Sequence, residues 1–491
     1  MIYITLFLMC IVLIVCQNMY IISNSHCLAF LVDNIVNYNK TRYFVFSLII
    51  LILGMTVYSA CHTVDKVSSN LNKDNKLKLI KSTQRTGNAI QGREYLLYGS
   101  YINSGFPVNS DNVEFDKNRV SPFTTVQSPD GIQMISPNCL QCHADSLRGE
   151  YVIGLPNTTF DFTVDMTFAS RYIKKSLEYR YGDSSKEWAA SYPFIRAMEA
   201  VSPHIQTEVV GANPADKLAA VLAAHRDPID LSWNTEQQLD LPNEVVPADP
   251  PAWWLLKYKN AMFASGIGRG DFARLMMASS LLTLTDTTRA RVIDNQFVHV
   301  KAFIESLEAP KYPYAIDNDL AIEGELLFEK HCFKCHGTPS EYPNYLVDLS
   351  VIKTDSLLAS SNFAYPNFIN WYNKSWFNKG EGRAYLEKGS GYVAPPLNGL
   401  WATAPYLHNG SVPTVYHILN SKERPTYWVK NSSSFDLDSL QLGWQFTERN
   451  RKVDKYVYDT SIPGYGNQGH TFADDLFDND RFAIIEYLKT L

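Results

Sequence analysis

Two short cysteine motifs constrain this 491-residue chain more than any other feature of it. Cys139 to His143 reads CLQCH and Cys332 to His336 reads CFKCH. The C-x-x-C-H spacing sets two thiols on one turn with an imidazole beside them, which suits two thioether bonds to a porphyrin and one bond to its iron. Two competing chemistries use the same cysteine spacing. A redox-active C-x-x-C does not need a histidine after both copies, and a zinc site needs two further ligands at matching spacing, which neither pair has nearby. The expected cofactors are therefore two covalently attached haem c groups, with Cys139, Cys142, Cys332 and Cys335 holding the porphyrins and His143 and His336 binding iron.

The other four of the eight cysteines, Cys10, Cys16, Cys27 and Cys61, all lie in the first 61 residues, so the eight do not read as disulfides. Covalent haem is attached outside the cytoplasm and calls for an export signal. Lys40 and Arg42 precede YFVFSLIILILGMTVYSAC, a basic segment, an apolar core and a small-residue end. The run resembles a lipoprotein signal with lipid on Cys61, although Tyr58 replaces the usual aliphatic residue. The 18 residues Tyr43 to Ala60 could equally stay as a membrane anchor. An earlier apolar run, Met1 to Cys16, reads as a second membrane segment or an over-long start. All these readings put the folded part outside the cytoplasm: periplasmic, membrane-anchored or secreted.

With 46% hydrophobic residues the chain can bury real cores, and a net charge of -6 without a basic stripe argues against nucleic acid as a partner. Residues 1–61 form the targeting region and 62–91, rich in Ser, Asn, Lys and Thr, a polar tether. A first haem unit then spans 92–309. It opens on GREYLLYGSYINSG, with Leu96, Leu97 and Tyr101 at helical spacing, and closes on a helix with Val292, Ile293, Phe297, Val300, Phe303, Ile304 and Leu307 on one face. A second spans 310–491, from AIEGELLFEKHCFKCHG to DRFAIIEYLKTL. Helix, C-x-x-C-H, long loops and closing helix occur twice, which predicts a mainly α chain of two cytochrome c-type domains.

Function turns on the iron's opposite face, where a second strong ligand makes an electron carrier and an open position a reactive site. All ten methionines lie at or before Met277, so the second haem has no methionine from its own domain. His408, His417 and His470 remain as its candidates. Between the motifs stand His204, His225, His299 and His331. His225 reads as a helix cap or packing residue and His299 as structural, which leaves the first haem open. Gly266, Gly268 and Gly270 form a glycine cluster without a surrounding βαβ pattern, so a tight turn is expected rather than a phosphate loop. Trp253 and Trp254 near Phe263 and Phe272 fit either a core or a large apolar pocket.

The two motifs together with PPLNGLWATAPYLHNGSVPT (Pro395 to Thr414) resemble the bacterial dihaem cytochrome c peroxidase superfamily. The likeness is greatest to its rubber oxygenase branch, through GRGDFARLMMASSL (Gly268 to Leu281), NQGH (Asn467 to His470) and the terminal EYLKTL, and covers roughly residues 92 to 491. The resemblance implies an oxygen-reactive first haem on His143 and a bis-histidine relay haem on His336. His470 is then the first choice of distal ligand for the relay, and His408, matching a histidine beside the haem propionates in peroxidase relatives, the second. Peroxidase relatives carry a distal histidine soon after the first motif, which this chain lacks. The implied activity is oxidative cleavage of a hydrophobic olefinic small molecule or polymer, such as a polyisoprenoid, by dioxygen, with Trp254, Phe263 and Phe272 as candidate pocket residues. Two alternatives stand beside it: reduction of hydrogen peroxide with electrons from a small partner cytochrome, and a non-catalytic electron carrier.

Overall fold

The architecture is that of a computed structural model, which describes residues 78–491 apart from 100, 109–119, 129, 339, 365 and 432–436, and leaves the side chains of 361–364 undescribed. The targeting region, its apolar runs and Cys61 lie outside the described residues. Among the described residues no helix is long and apolar enough to cross a membrane.

Seven described helices have ten or more residues: α1 (Ala89–Tyr98), α2 (Thr167–Tyr181), α3 (Lys186–Val201), α4 (Ala215–Ala224), α5 (Thr287–Ser306), α6 (Asn318–His331) and α7 (Asp478–Leu488). Their starts follow from local chemistry. Asn88, Asp286 and Asp317 accept hydrogen bonds from the first free backbone N–H groups of α1, α5 and α6, and Gly99 ends α1 in the left-handed conformation. The expected closing helices are α5 and α7. On α5 the apolar face buries Ile293, Phe297, Val300, Phe303 and Ile304, while Val292 remains 45% exposed.

The opening and closing helices cross in the same way twice. In α1, Gly92 lies so close to α5 that a methyl group there would stand 1.8 Å from the His299 carbonyl oxygen; in α6, Gly324 meets Ala483 of α7 at 1.9 Å. Each glycine is followed four residues later by a buried anchor, Leu96 or Phe328. The repeat seen in sequence is therefore a repeat of helix packing. Gly324→Ala is expected to lower stability by about 1–3 kcal/mol through overpacking against backbone, despite the ~1 kcal/mol that alanine gains in helix propensity. A rise in the urea midpoint of unfolding would show that the crossing is looser than this.

Helix is the larger share, yet the chain is mixed rather than mainly α, at 40% helix and 15% strand. Among the described residues the strands form six small antiparallel sheets, two of three strands and four of two. One hairpin, Ala144–Leu147 with Glu150–Ile153, begins at the residue after His143. Another pair, Gly268–Gly270 with Ala384–Leu386, absorbs the glycine cluster. There a side chain on Gly270, at φ 88°, would meet the Arg383 carbonyl, so close strand approach and not phosphate binding explains these glycines.

The described residues, from Lys78 onward, form one compact unit. Inside it two large cores exchange segments. Ile369, Trp371, Tyr372 and Phe377 pack into the core around α1 and α5, and Leu147, Leu155, Val209 and Trp254 into the core around α6 and α7. The C-terminal part of the expected tether is also structured. Leu79 is buried, with its N–H on the Asn344 carbonyl, and Arg85 enters a buried ion network with Asp271, Asp294 and Arg274. Single anchors of this kind carry no periodicity, which is why residues 78–88 read as tether.

Candidate haem sites

The second motif follows directly from α6. Cys332 caps that helix, and Phe333–His336 form one further turn. His336 Nδ1 lies 2.9 Å from the Pro395 carbonyl. A carbonyl only accepts, so Nδ1 carries the hydrogen and Nε2 keeps its lone pair for a metal. Opposite stands His470, its ring centroid 6.2 Å from that of His336. Two imidazoles bound to opposite faces of one iron are separated by about 6 Å, the sum of two ~2 Å metal–nitrogen bonds and two ring radii. Burial pushes the His470 pKa down to about 4, helped by His336 and Arg424, so the ring is in its neutral, ligating form.

His470 is held by groups with no motif of their own. Its backbone is left-handed at φ 48°, and its N–H donates to the Ile352 carbonyl at 2.8 Å. Arg424 donates to five carbonyls: His417 at 2.7 Å, Asn467 and Gly469 at 2.6 Å each, and Ile418 and His470 at 3.2 Å each. One guanidinium thereby ties the Asn467 to His470 loop to the turn at His417.

The other two candidates, His408 and His417, are engaged elsewhere. His408 stacks on Tyr392 with centroids 4.0 Å apart, and its Nε2 lies 3.0 Å from the Tyr392 hydroxyl. That hydroxyl donates to the Asp355 carbonyl, so it accepts from His408, whose Nε2 must carry a hydrogen. His417 Nδ1 is 2.6 Å from the Thr414 hydroxyl. Of the three candidates, only His470 has its ring set against His336.

In the first motif, Cys139 and the turn Leu140–His143 are pinned by Leu140, which is fully buried, and by the Asn138 side chain accepting from the Leu140 N–H. The Tyr101 hydroxyl is 3.3 Å from Cys139 Sγ. Burial pushes the His143 imidazole down to about 4, and the Pro251 carbonyl beside it offsets part of the shift without reaching hydrogen-bond geometry. Trp253 stacks on the His143 ring, centroids 4.8 Å apart at 26°. Its neighbour Trp254 donates its indole N–H to the Asn398 carbonyl at 2.9 Å. Asn398 lies three residues from Pro395, so this dipeptide touches the surroundings of both candidate iron ligands.

No second described imidazole is stacked against His143. His225 caps α4 and stacks on Trp233, and His299 accepts from the Asn88 N–H, as the sequence suggested. The three candidate pocket aromatics are not brought together. Phe272 is fully buried in the first core, and Trp254 lies in the second, lining a cavity of about 450 Å³. Lys257, Lys311 and Lys489 also line that cavity, so it is not an apolar pocket. Phe263 is 40% exposed, its ring against Gly268.

The thiols fit thioether formation better than their rivals. Burial pushes all four up, Cys332 to about 12, whereas a redox C-x-x-C depends on a thiol pushed down. Among the described residues no group of three or more His, Cys, Asp or Glu side chains could hold a metal, as a zinc site would require.

Each thiol pair is followed by an imidazole, and in the second motif this turn continues directly from the glycine-crossed helix α6, an arrangement that fits a cytochrome c-like domain. Residues 391–429 match the family described as RoxA-like, cytochrome c-like. The matched segment contains Pro395 and Arg424, which hold His336 and the His470 loop, together with His408 and His417. The chain is also similar to two proteins of Sinorhizobium fredii (strain NBRC 101917 / NGR234). It is 25% identical to "Uncharacterized protein y4iM" over 298 residues, 51% of this chain and 66% of that protein. To "Uncharacterized protein y4iJ" it is 40% identical over 111 residues, 20% of this chain and 18% of that protein. The chain thus spans less than two thirds of either relative's length. The family match supports covalent haem c and relates the chain to haem-containing oxidoreductases.

Proposed function

We propose that the chain is an extracytoplasmic dihaem c-type oxidoreductase, in which an electron-relay haem on His336 and His470 serves a reactive haem on His143. The observation that carries this reading is the asymmetry of the two imidazoles: His336 faces a second imidazole at 6.2 Å, whereas His143 is backed by Trp253. Covalent haem at His143 would supply dioxygen activation, directed at a hydrophobic olefinic substrate of the polyisoprenoid kind. The chain's own residues do the rest. Pro395 fixes the tautomer of His336, Arg424 fixes the loop bearing His470, and Trp253 fixes the plane of His143. The Trp253–Trp254 dipeptide, which stacks on His143 and donates a hydrogen bond to Asn398, links the surroundings of the two sites.

EPR of the purified ferric protein tests the pairing of ligands. One low-spin and one high-spin centre are expected, and two low-spin centres would leave only a carrier or a peroxidase that needs reductive activation. Incubation with polyisoprene and oxygen should then give carbonyl-ended oligomers with oxygen uptake. Peroxide-dependent oxidation of a reduced small cytochrome without oxygen uptake would replace the oxygenase with the peroxidase.

A further inference from the structure

We propose that the exposed face of α2 is a docking surface for an anionic lipid bilayer, a role that depends on neither haem. α2 is 15 residues long and fully buries one side chain, Ser170. Phe168, Tyr172, Lys175 and Tyr179 recur at positions i, i+4, i+7 and i+11 and so share one face. The three aromatics are 81%, 64% and 95% exposed, and Phe168 and Tyr172 are near-parallel at 6.5 Å. Val164 and Met166, 48% and 40% exposed, precede the helix, with the exposed Asp165 between them. Scattered exposed aromatics are ordinary, but a contiguous stripe on a helix that buries so little marks an interaction surface.

Charge selects the occupant. α2 carries Arg171, Lys174, Lys175 and Arg180 against a single acid, Glu178, on a chain whose net charge is -6. Lys174 pairs with Glu199 at 2.9 Å and fastens α2 to α3, which leaves Arg171, Lys175 and Arg180 on the exposed side. Aromatic rings with a polar edge, interleaved with cations, match the boundary between lipid phosphates and acyl chains. A neutral hydrocarbon polymer would give those cations no partner. A bilayer also requires no matching groove. The chain before Lys78 contains the apolar run Tyr43 to Ala60, which reads in sequence as a lipoprotein signal or membrane anchor and so as a second, independent lipid contact of the same chain.

The test uses the full chain with phosphatidylcholine vesicles, with and without phosphatidylglycerol. Trypsin cleavage after Arg171, Lys175 and Arg180 is followed by mass spectrometry. Cleavage is expected to slow about tenfold or more only on phosphatidylglycerol vesicles, as attraction to anionic lipid requires, and to recover in high salt. Protection should vanish in the triple variant Phe168→Ser, Tyr172→Ser, Tyr179→Ser, whose changes are all on the surface. Equal cleavage in buffer and on both vesicles overturns the proposal, as does equal protection by phosphatidylcholine alone. Protection by a lipid-free polyisoprene emulsion would assign the face to polymer and overturn it as well. Co-flotation of the triple variant reports separately on residues 43–60, so failure of the anchor is not mistaken for failure of the helix.

Discussion

On the bis-histidine reading proposed above, Arg424→Met is expected to convert a haem on His336 from low-spin to high-spin without loss of covalent attachment. Arg424 touches no iron ligand side chain; it acts through the five carbonyls it holds, among them that of His470. Methionine has similar length and no donor, so those carbonyls lose their partner together. Hydrogen bonds from a charged donor contribute about 1.5–3 kcal/mol each, though not additively, so the loop should lose about 3 kcal/mol or more. That is enough to release a histidine held in a left-handed backbone. The ferric EPR spectrum should gain high-spin signal at the expense of the low-spin one, and added imidazole should restore it. A merely destabilised protein would not answer to imidazole, and an unchanged spectrum would show that the bond to Ile352 alone holds His470 in place. His470→Ala should give the same spectrum without the stability loss.

The second large effect is expected at Asp294. Its carboxylate accepts from Arg85 at 2.7 and 2.9 Å and from Arg274 at 2.6 and 3.2 Å. Asp271 completes the network through Arg85. Asp294→Leu leaves the buried Arg274 guanidinium without a carboxylate, and removing one partner of a buried pair costs about 3–5 kcal/mol. Urea unfolding should show this loss, with Asp294→Asn intermediate; a change under ~1 kcal/mol would mean that water reaches the site. The network is also sensitive to acid. Burial pushes the Asp271 carboxyl up, but the hydrogen bonds from Arg85 prevail and hold it below 3.8. A depressed carboxylate pKa stabilises the fold fully above the unfolded value and progressively less as pH falls through the folded one. Stability should therefore decline below about pH 4, and less steeply in Arg85→Met.

Much of this arrangement was legible in the residues. The C-x-x-C-H motifs pointed to His143 and His336 as candidate iron ligands, and the absence of methionine beyond residue 277 left three histidines as candidates opposite His336, of which the structure sets His470 against it. The closing helices were visible because long amphipathic helices repeat their apolar residues. What escaped had no period. Arg424 reads as any surface arginine until its five carbonyl partners converge on it. Arg85 lies in a polar stretch whose composition suggests a tether, and Trp253 is one of two adjacent tryptophans until its ring lies on His143. The small sheets escaped because two- to five-residue strands fall below any periodic signal. The pocket reading of Trp254 and Phe272 rested on nearness in sequence, which does not decide side-chain placement: Trp254 packs into one core and Phe272 into the other.

That exchange of segments between the cores bears on how such a chain can be altered or assembled. A cut at residue 309 would take Trp371, Tyr372 and Phe377 away from the core they complete, and Leu147, Leu155 and Trp254 from theirs. Each fragment would carry one haem motif and a hydrophobic wound the other was meant to close. The two halves are therefore not beads on a string to be swapped, duplicated or expressed alone, because either one without the other leaves part of both cores exposed.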